Sequence, residues 1–143
     1  LSEDRIRYYQ GEENREEVES MVFLLDLKQE DIGHHELLDQ VRQVIEEEEL
    51  EIFGSVDGLH DRLCRSLGSP AIVIFRPAGS RDLDEFLTIT DLPGNIQIVL
   101  ILPDHSEKTI LQGHTIRPRY VSYDDEMNFV DVATVVQRIN RTP

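Results

Sequence analysis

Three stretches of this chain are nearly continuous in apolar residues: Met21–Leu25, Ala71–Phe75 and Ile96–Leu102, the last interrupted only by Gln97. Their β-branched and aromatic content reads as strands buried on both faces, which places them in the middle of a parallel sheet covered by helices. The first run closes on Asp26 and the second on Arg76-Pro77. In an open α/β sheet, ligands and chemistry gather at the carboxyl ends of the central strands, so Asp26 and Arg76 stand where an active group is expected.

The segments between these runs alternate helix and strand. Leu37, Leu38, Val41, Val44 and Ile45 recur at spacings of three and four, one apolar stripe of a helix. Glu46–Glu49 follows directly, and acid at a helix C-terminus opposes the macrodipole, so the helix is expected to fray or stop inside that run. Leu50–Phe53 alternates as an edge strand does. Asp57 is expected to cap a second helix with the stripe Leu59, Leu63 and Leu67, ended by Gly68-Ser69-Pro70. Ser80 is expected to cap a third, with Asp82 and Asp84 in its first turn and Leu83, Phe86 and Leu87 facing inward. Leu92–Asn95 reads as a turn. Asp104–Glu107 has the spacing of a capping box; Ile110 and Leu111 then face the core, and Gly113 closes the helix in a left-handed conformation. Tyr120–Tyr123 is a short, partly polar strand, and Asn128 caps a last helix bearing Val132, Val135, Val136 and Ile139.

Five strands alternating with five helices give a parallel α/β sheet with right-handed crossovers. The three apolar runs belong in its middle and the Leu50 and Tyr120 segments at its edges, which the doubly wound, flavodoxin-like order 2-1-3-4-5 satisfies, with helices on both faces. Residues 1–20 mix charge with isolated apolar positions and read as a linker or peripheral helix ahead of a domain over residues 21–140.

A formal charge of -15, with 14 basic residues scattered along 143, argues against nucleic acid and favours a basic protein surface as partner. No run approaches the ~20 apolar residues of a membrane span. The single Cys64 cannot form an internal disulfide, which fits a reducing, cytoplasmic compartment and offers no metal-ligand partner at a familiar spacing. His34, His35, His60, His105 and His114 contain no pair at the four-residue helical spacing and read as surface or capping residues. No metal or cofactor is expected. A Walker loop, a dinucleotide fingerprint and a Gly-x-Ser-x-Gly nucleophile turn are all missing, so the chain is not expected to be an enzyme. Leu27–Asp31 is too acidic for the phosphate loop of a flavin mononucleotide site. Asp31-Ile32-Gly33-His34 holds only part of the motif of a cobalamin-binding domain.

From Met21 to Ile139 the chain resembles the receiver domains of bacterial two-component response regulators. The resemblance rests on order and spacing: Asp26 closing the first strand, the Val56-Asp57-Gly58 turn opening the second helix, Pro70 before the third strand, and Tyr120-Val121-Ser122 in the fifth. It implies a phosphorylation pocket in which an acidic pair holds magnesium, an Asp ending the third strand accepts phosphate, and a Ser or Thr after the fourth strand and a Lys after the fifth complete the switch. At those positions this chain keeps Asp26, has Leu27 as its neighbour, and places Arg76 (or Phe75, one residue earlier) at the phosphoacceptor. Ile101 or Leu102 stands for the hydroxyl, and Tyr123 for the lysine. Arg offers only donors and stays protonated, so it is neither nucleophile nor metal ligand. A fixed cation there is expected to pair with Asp26 and close a vestigial pocket, with the Leu27–Gly33 loop either covering it or forming a contact surface.

The implied function is that of a phosphorylation-deficient receiver-like module in a two-component-type system. It would contact a signalling kinase, an effector domain or a second copy of itself through Arg117, Arg119, Tyr120 and Arg138. A receiver phosphorylated in a rearranged acidic pocket, and a small-molecule-binding domain on the same fold, are the alternatives.

Overall fold

The computed structural model describes residues 21–65, 70–89, 95–124 and 129–141. Strands β1 (Met21–Asp26), β2 (Leu50–Phe53), β3 (Ala71–Arg76), β4 (Ile96–Leu102) and β5 (Tyr120–Tyr123) alternate with helices α1 (Ile32–Arg42), α2 (Val56–Cys64), α3 (Ser80–Leu87), α4 (Glu107–Ile116) and α5 (Val130–Arg141). Every pairing is parallel, and the sheet runs β2-β1-β3-β4-β5, a flavodoxin-like α/β arrangement. The linker or helix expected over residues 1–20 lies outside the described residues. So do Leu67, Gly68 and Ser69, residues 92–94 of the expected turn, and the Asn128 cap.

The apolar runs occupy the centre because each must cover two faces. Val22 and Leu24, Ile72 and Ile74, and Val99 and Ile101 point to the side where α1 supplies Leu37, Leu38 and Val41 and α5 supplies Val132, Val136 and Ile139. Phe23 and Leu25, Val73 and Phe75, and Ile98 and Leu100 point to the other, against Leu59 and Leu63 of α2 and Leu83 and Phe86 of α3. The Phe75 and Phe86 rings stack with centroids 4.6 Å apart. The strand period of two carries on to the strand ends, so Asp26 and Arg76, partners in register, both emerge on the α1/α5 side.

Several local expectations are corrected. The first helix stops at Arg42, before the glutamates: the Gln43 N–H turns back to the carbonyls of Gln40 and Val41, and Glu47–Glu49 form a separate 3-10 turn. Ile45 remains buried beyond the helix end. Ser55, not Asp57, caps α2, because its extended backbone aims Oγ at the Gly58 N–H (3.0 Å); Asp57 sits in the first turn. Ser80 is the first residue of α3 rather than its cap. Its hydroxyl goes to Gln112 of α4 (2.9 Å), while Asp82 accepts from the Ala78 N–H (2.8 Å).

Helix α4 begins two residues later than the expected box. Ser106 accepts from the Thr109 N–H, and Asp104 accepts from the Ser106 N–H and the Thr109 hydroxyl. Leu111 is 61% exposed instead of facing the core. Gly113 does not end the helix; it lets α4 approach the sheet, since a β-carbon there would lie 3.1 Å from Leu100 and 3.2 Å from Leu102. Arg117 supplies the left-handed stop (φ 60°, ψ 58°).

Candidate functional site

The loop after β1, the end of β3 and the residue after β5 converge on one side chain. Arg76 is 1% exposed, and all three of its guanidinium nitrogens are engaged. Nε donates to Asp124 Oδ1 (2.9 Å), Nη1 to both oxygens of Asp26 (3.2 and 3.3 Å) and to the Lys28 carbonyl (3.3 Å), and Nη2 to Asp31 Oδ1 (3.2 Å) and Asp124 Oδ2 (3.4 Å). Asp26, fully buried, also accepts from the Lys28 N–H (2.8 Å) and is 2.7 Å from His34 Nδ1. The Lys28 ammonium closes the cluster from outside, 2.6 Å from Asp124 Oδ2 and 3.6 Å from Asp31 Oδ2.

Sequence dictates this convergence. Asp26 and Arg76 are the first polar residues after two apolar runs, and their strands pair in parallel register, so they meet without a turn between them. The strand order reverses between β1 and β3, which opens a crevice above the carboxyl ends. Arg76 fills it. Asp31 caps α1 by accepting from the Gly33 N–H, and Gly33 leaves room for the guanidinium beside that first turn. The β1–α1 loop, expected as Leu27–Gly33, is therefore Leu27–Asp31, and through Lys28 and Asp31 it does cover the site. A depression of about 510 Å³ beside the cluster is formed by that loop, Asp26 and Gly54.

Burial alone would lower the Arg76 pKa, but the Asp124 hydrogen bond and the charges of Asp26 and Asp124 outweigh it and raise it above its ordinary value. The Asp31 carboxyl is held below the ordinary aspartate range, chiefly by the Gly33 N–H and further by Arg76, against an opposing desolvation. Three carboxylates thus face two fixed cations, Arg76 and Lys28. The guanidinium does what a bound cation would do, neutralising converging carboxylates, and its fork matches several of them at once.

The remaining residues singled out from sequence fall elsewhere. Ile101 is buried in β4 on the α1/α5 side and Leu102 on the other, so each is a core residue. Tyr123 turns away from the cluster and stacks on His105, centroids 3.9 Å apart. Arg117 and Arg119 are exposed at the α4–β5 junction, and Arg119 donates to Gln97 (2.6 Å), the one polar residue inside the β4 run. Tyr120 and Ser122 both donate to Asp131 Oδ2 of α5 (2.8 and 2.7 Å). Arg138 is exposed on α5. Cys64 ends α2 with Sγ 3.6 Å from His60 Nε2, a side-chain neighbour one turn back that sequence reading passed over. Among the described residues no three His, Cys, Asp or Glu side chains come together as a metal site, and no helix is long and apolar enough to cross a membrane.

Sequence reasoning paired Arg76 with Asp26 but missed Asp124, Asp31, Lys28 and His34. Asp124 carried a usable signal: it directly follows β5, on the same carboxyl rim as Asp26 and Arg76. Compared with known proteins, the chain matches no family model, no curated protein and no solved structure.

Proposed function

We propose that this chain is a receiver-like signalling domain of a two-component-type system that is not phosphorylated, is not an enzyme, and acts through protein contacts. One observation carries the reading: a cation belonging to the protein itself sits at the end of β3, buried and bonded to three carboxylates. By the resemblance, a receiver has a carboxylate at the end of the third strand and a lysine after the fifth. Here Arg76 ends β3 and Tyr123 stands at the lysine position, while the next residue, Asp124, pairs with Arg76 at 2.9 Å. Phosphoryl transfer needs a carboxylate nucleophile and a hard cation such as Mg²⁺ with its own oxygen ligands and waters. The Arg76–Asp124 pair supplies a cross-sheet attraction without a nucleophile, while Asp26 is already occupied. Signalling then falls to protein contacts, with a kinase, an effector domain or a second copy as partner and the exposed Arg117, Arg119 and Arg138, with Tyr120, as the contact face. A cytoplasmic setting goes with that role.

The test is an amide NMR titration with Mg²⁺ followed by beryllofluoride, a phosphoryl mimic, read at Asp26, Arg76, Ile101 and Tyr123. The expected outcome is no saturable shift at any of the four. Saturable shifts spreading toward β5 and α5 would replace this reading with a working phosphorylation switch.

A further inference from the structure

Among the described residues, two that are not glycine have positive φ: Arg117 (60°) and Phe129 (55°). Arg117 is an exposed helix stop, where a left-handed residue is common. Phe129 is different. It is fully buried and immediately precedes a helix, where the chain is ordinarily extended. A bulky side chain resists the left-handed region and persists there only when its surroundings over-determine it.

We propose that Phe129 is a strained latch through which the Arg76 cluster sets the first turn of α5. Two contacts hold it. Its ring lies under the guanidinium, 5.7 Å from centroid to Arg76 Cζ, within cation–π reach, and it packs into the apolar cluster shared by α1 and α5. Its carbonyl accepts from the Ala133 N–H (3.1 Å), which opens α5. One residue therefore joins the guanidinium to the first bond of the helix. In the same turn Asp131 gathers the hydroxyls of Tyr120 and Ser122, so a shift of that turn is felt along β5. The seat of Arg76 is what offsets the unfavourable backbone of Phe129; when the guanidinium moves, the latch relaxes and the helix start loosens. Lys28 is the handle on the outside. It is 29% exposed and bonded to Asp124, which in turn bonds Arg76. An acidic group of a partner that draws Lys28 away from Asp124 acts on α5 by this route. The device rests on the geometry at Phe129 and stands whether or not the chain is receiver-like.

Hydrogen exchange read by NMR tests it, with the Ala133 amide as reporter and the Leu27 amide, bonded to the Arg76 carbonyl, as a control for the strand ends. Arg76→Lys keeps the charge but cannot reach all three carboxylates. Ala133 exchange is expected to rise about tenfold in Arg76→Lys, and the response is expected to fall within about twofold once Phe129→Gly is added, because glycine takes positive φ freely and has no ring. An equal rise in both backgrounds, or no rise in the first, overturns the proposal. The unaltered protein provides a check that needs no variant to fold: the Arg76 guanidinium protons should be shifted upfield by the Phe129 ring, and the Phe129 amide should show the strong NOE to its own Hα that positive φ produces by bringing the two protons closer. Ordinary values for both also overturn it.

Discussion

Gly33 lies where any larger residue would collide with Arg76. A β-carbon at this position would overlap Nη2 of the guanidinium and crowd its Cζ at 3.1 Å and Asp31 Oδ1 at 3.0 Å. In an open helix turn, Gly→Ala gains up to about 1 kcal/mol. The end of an arginine usually swings aside for such a change, but this one is bonded to three carboxylates and has nowhere to go. Gly33→Ala is therefore expected to cost about 1–3 kcal/mol in urea unfolding, as overpacking does. In an Arg76→Ala background the same substitution should become neutral or stabilising. An undiminished loss there would mean that the conflict lies with some other neighbour.

Removing the guanidinium is the harsher change. Asp26 is fully buried, and Arg76 is its fixed cationic partner. Arg76→Met keeps much of the stem volume and strands that carboxylate, at an expected cost of about 3–5 kcal/mol. Pairing Arg76→Met with Asp26→Leu should recover a large part of the loss, since apolar replacement of both partners of a buried pair is often close to neutral. Unfolding curves of the two single variants and the double variant decide the matter. A double variant that loses the sum of the single losses would show that Asp26 is satisfied without Arg76.

The acid side of the pH–stability profile follows from Asp31. Its folded pKa is depressed, so its contribution is complete above the unfolded value, near 3.9, and disappears as pH falls through the lower folded value. Asp104 has the same sign, held down chiefly by the Thr109 hydroxyl and then by Ser106. Unfolding midpoints measured from pH 6 down to about 2.5 should show the unaltered chain losing stability faster than Asp31→Asn over the lowest part of that range. The gap between the two should be widest at the pH 6 end and narrow in acid. A gap that widens in acid would contradict the depressed carboxyl.

The fold was legible because one signal controlled it. A strand covered on both faces must be apolar at nearly every position, and Met21–Leu25, Ala71–Phe75 and, Gln97 apart, Ile96–Leu102 satisfy this, so the order of the sheet followed from composition. Helix ends were read less well because neighbouring residues compete for the same capping role: Ser55 outbid Asp57 by its extended backbone, and Ser80 was drawn away by Gln112. The Asp26–Arg76 pair was visible because both close strands that pair directly. Asp124 and Asp31, which bond Arg76, and His34, which bonds Asp26, were not, because their contacts depend on how the segments after the strands fold back over the sheet, 48 residues away along the chain in the case of Asp124. The left-handed backbone of Phe129 left no trace in sequence, where a phenylalanine before a helix reads only as core.

Arg117 offers the opposite case, a left-handed residue on the surface. It is exposed, its N–H closes α4 on the His114 carbonyl (3.1 Å), and Pro118 follows, so its conformation serves only to stop the helix. Left-handed backbone costs a residue with a β-carbon roughly 1–2 kcal/mol, whereas glycine adopts it freely but loses about 0.5–1 kcal/mol more chain entropy on folding. Arg117→Gly should therefore stabilise the chain by up to about 1 kcal/mol in urea unfolding, through the backbone and not through charge. Arg117→Ala separates these two causes, because it removes the same charge and keeps the strained φ. It should bring no gain; a gain equal to that of glycine would place the cost in the guanidinium among its neighbours and free the backbone of blame.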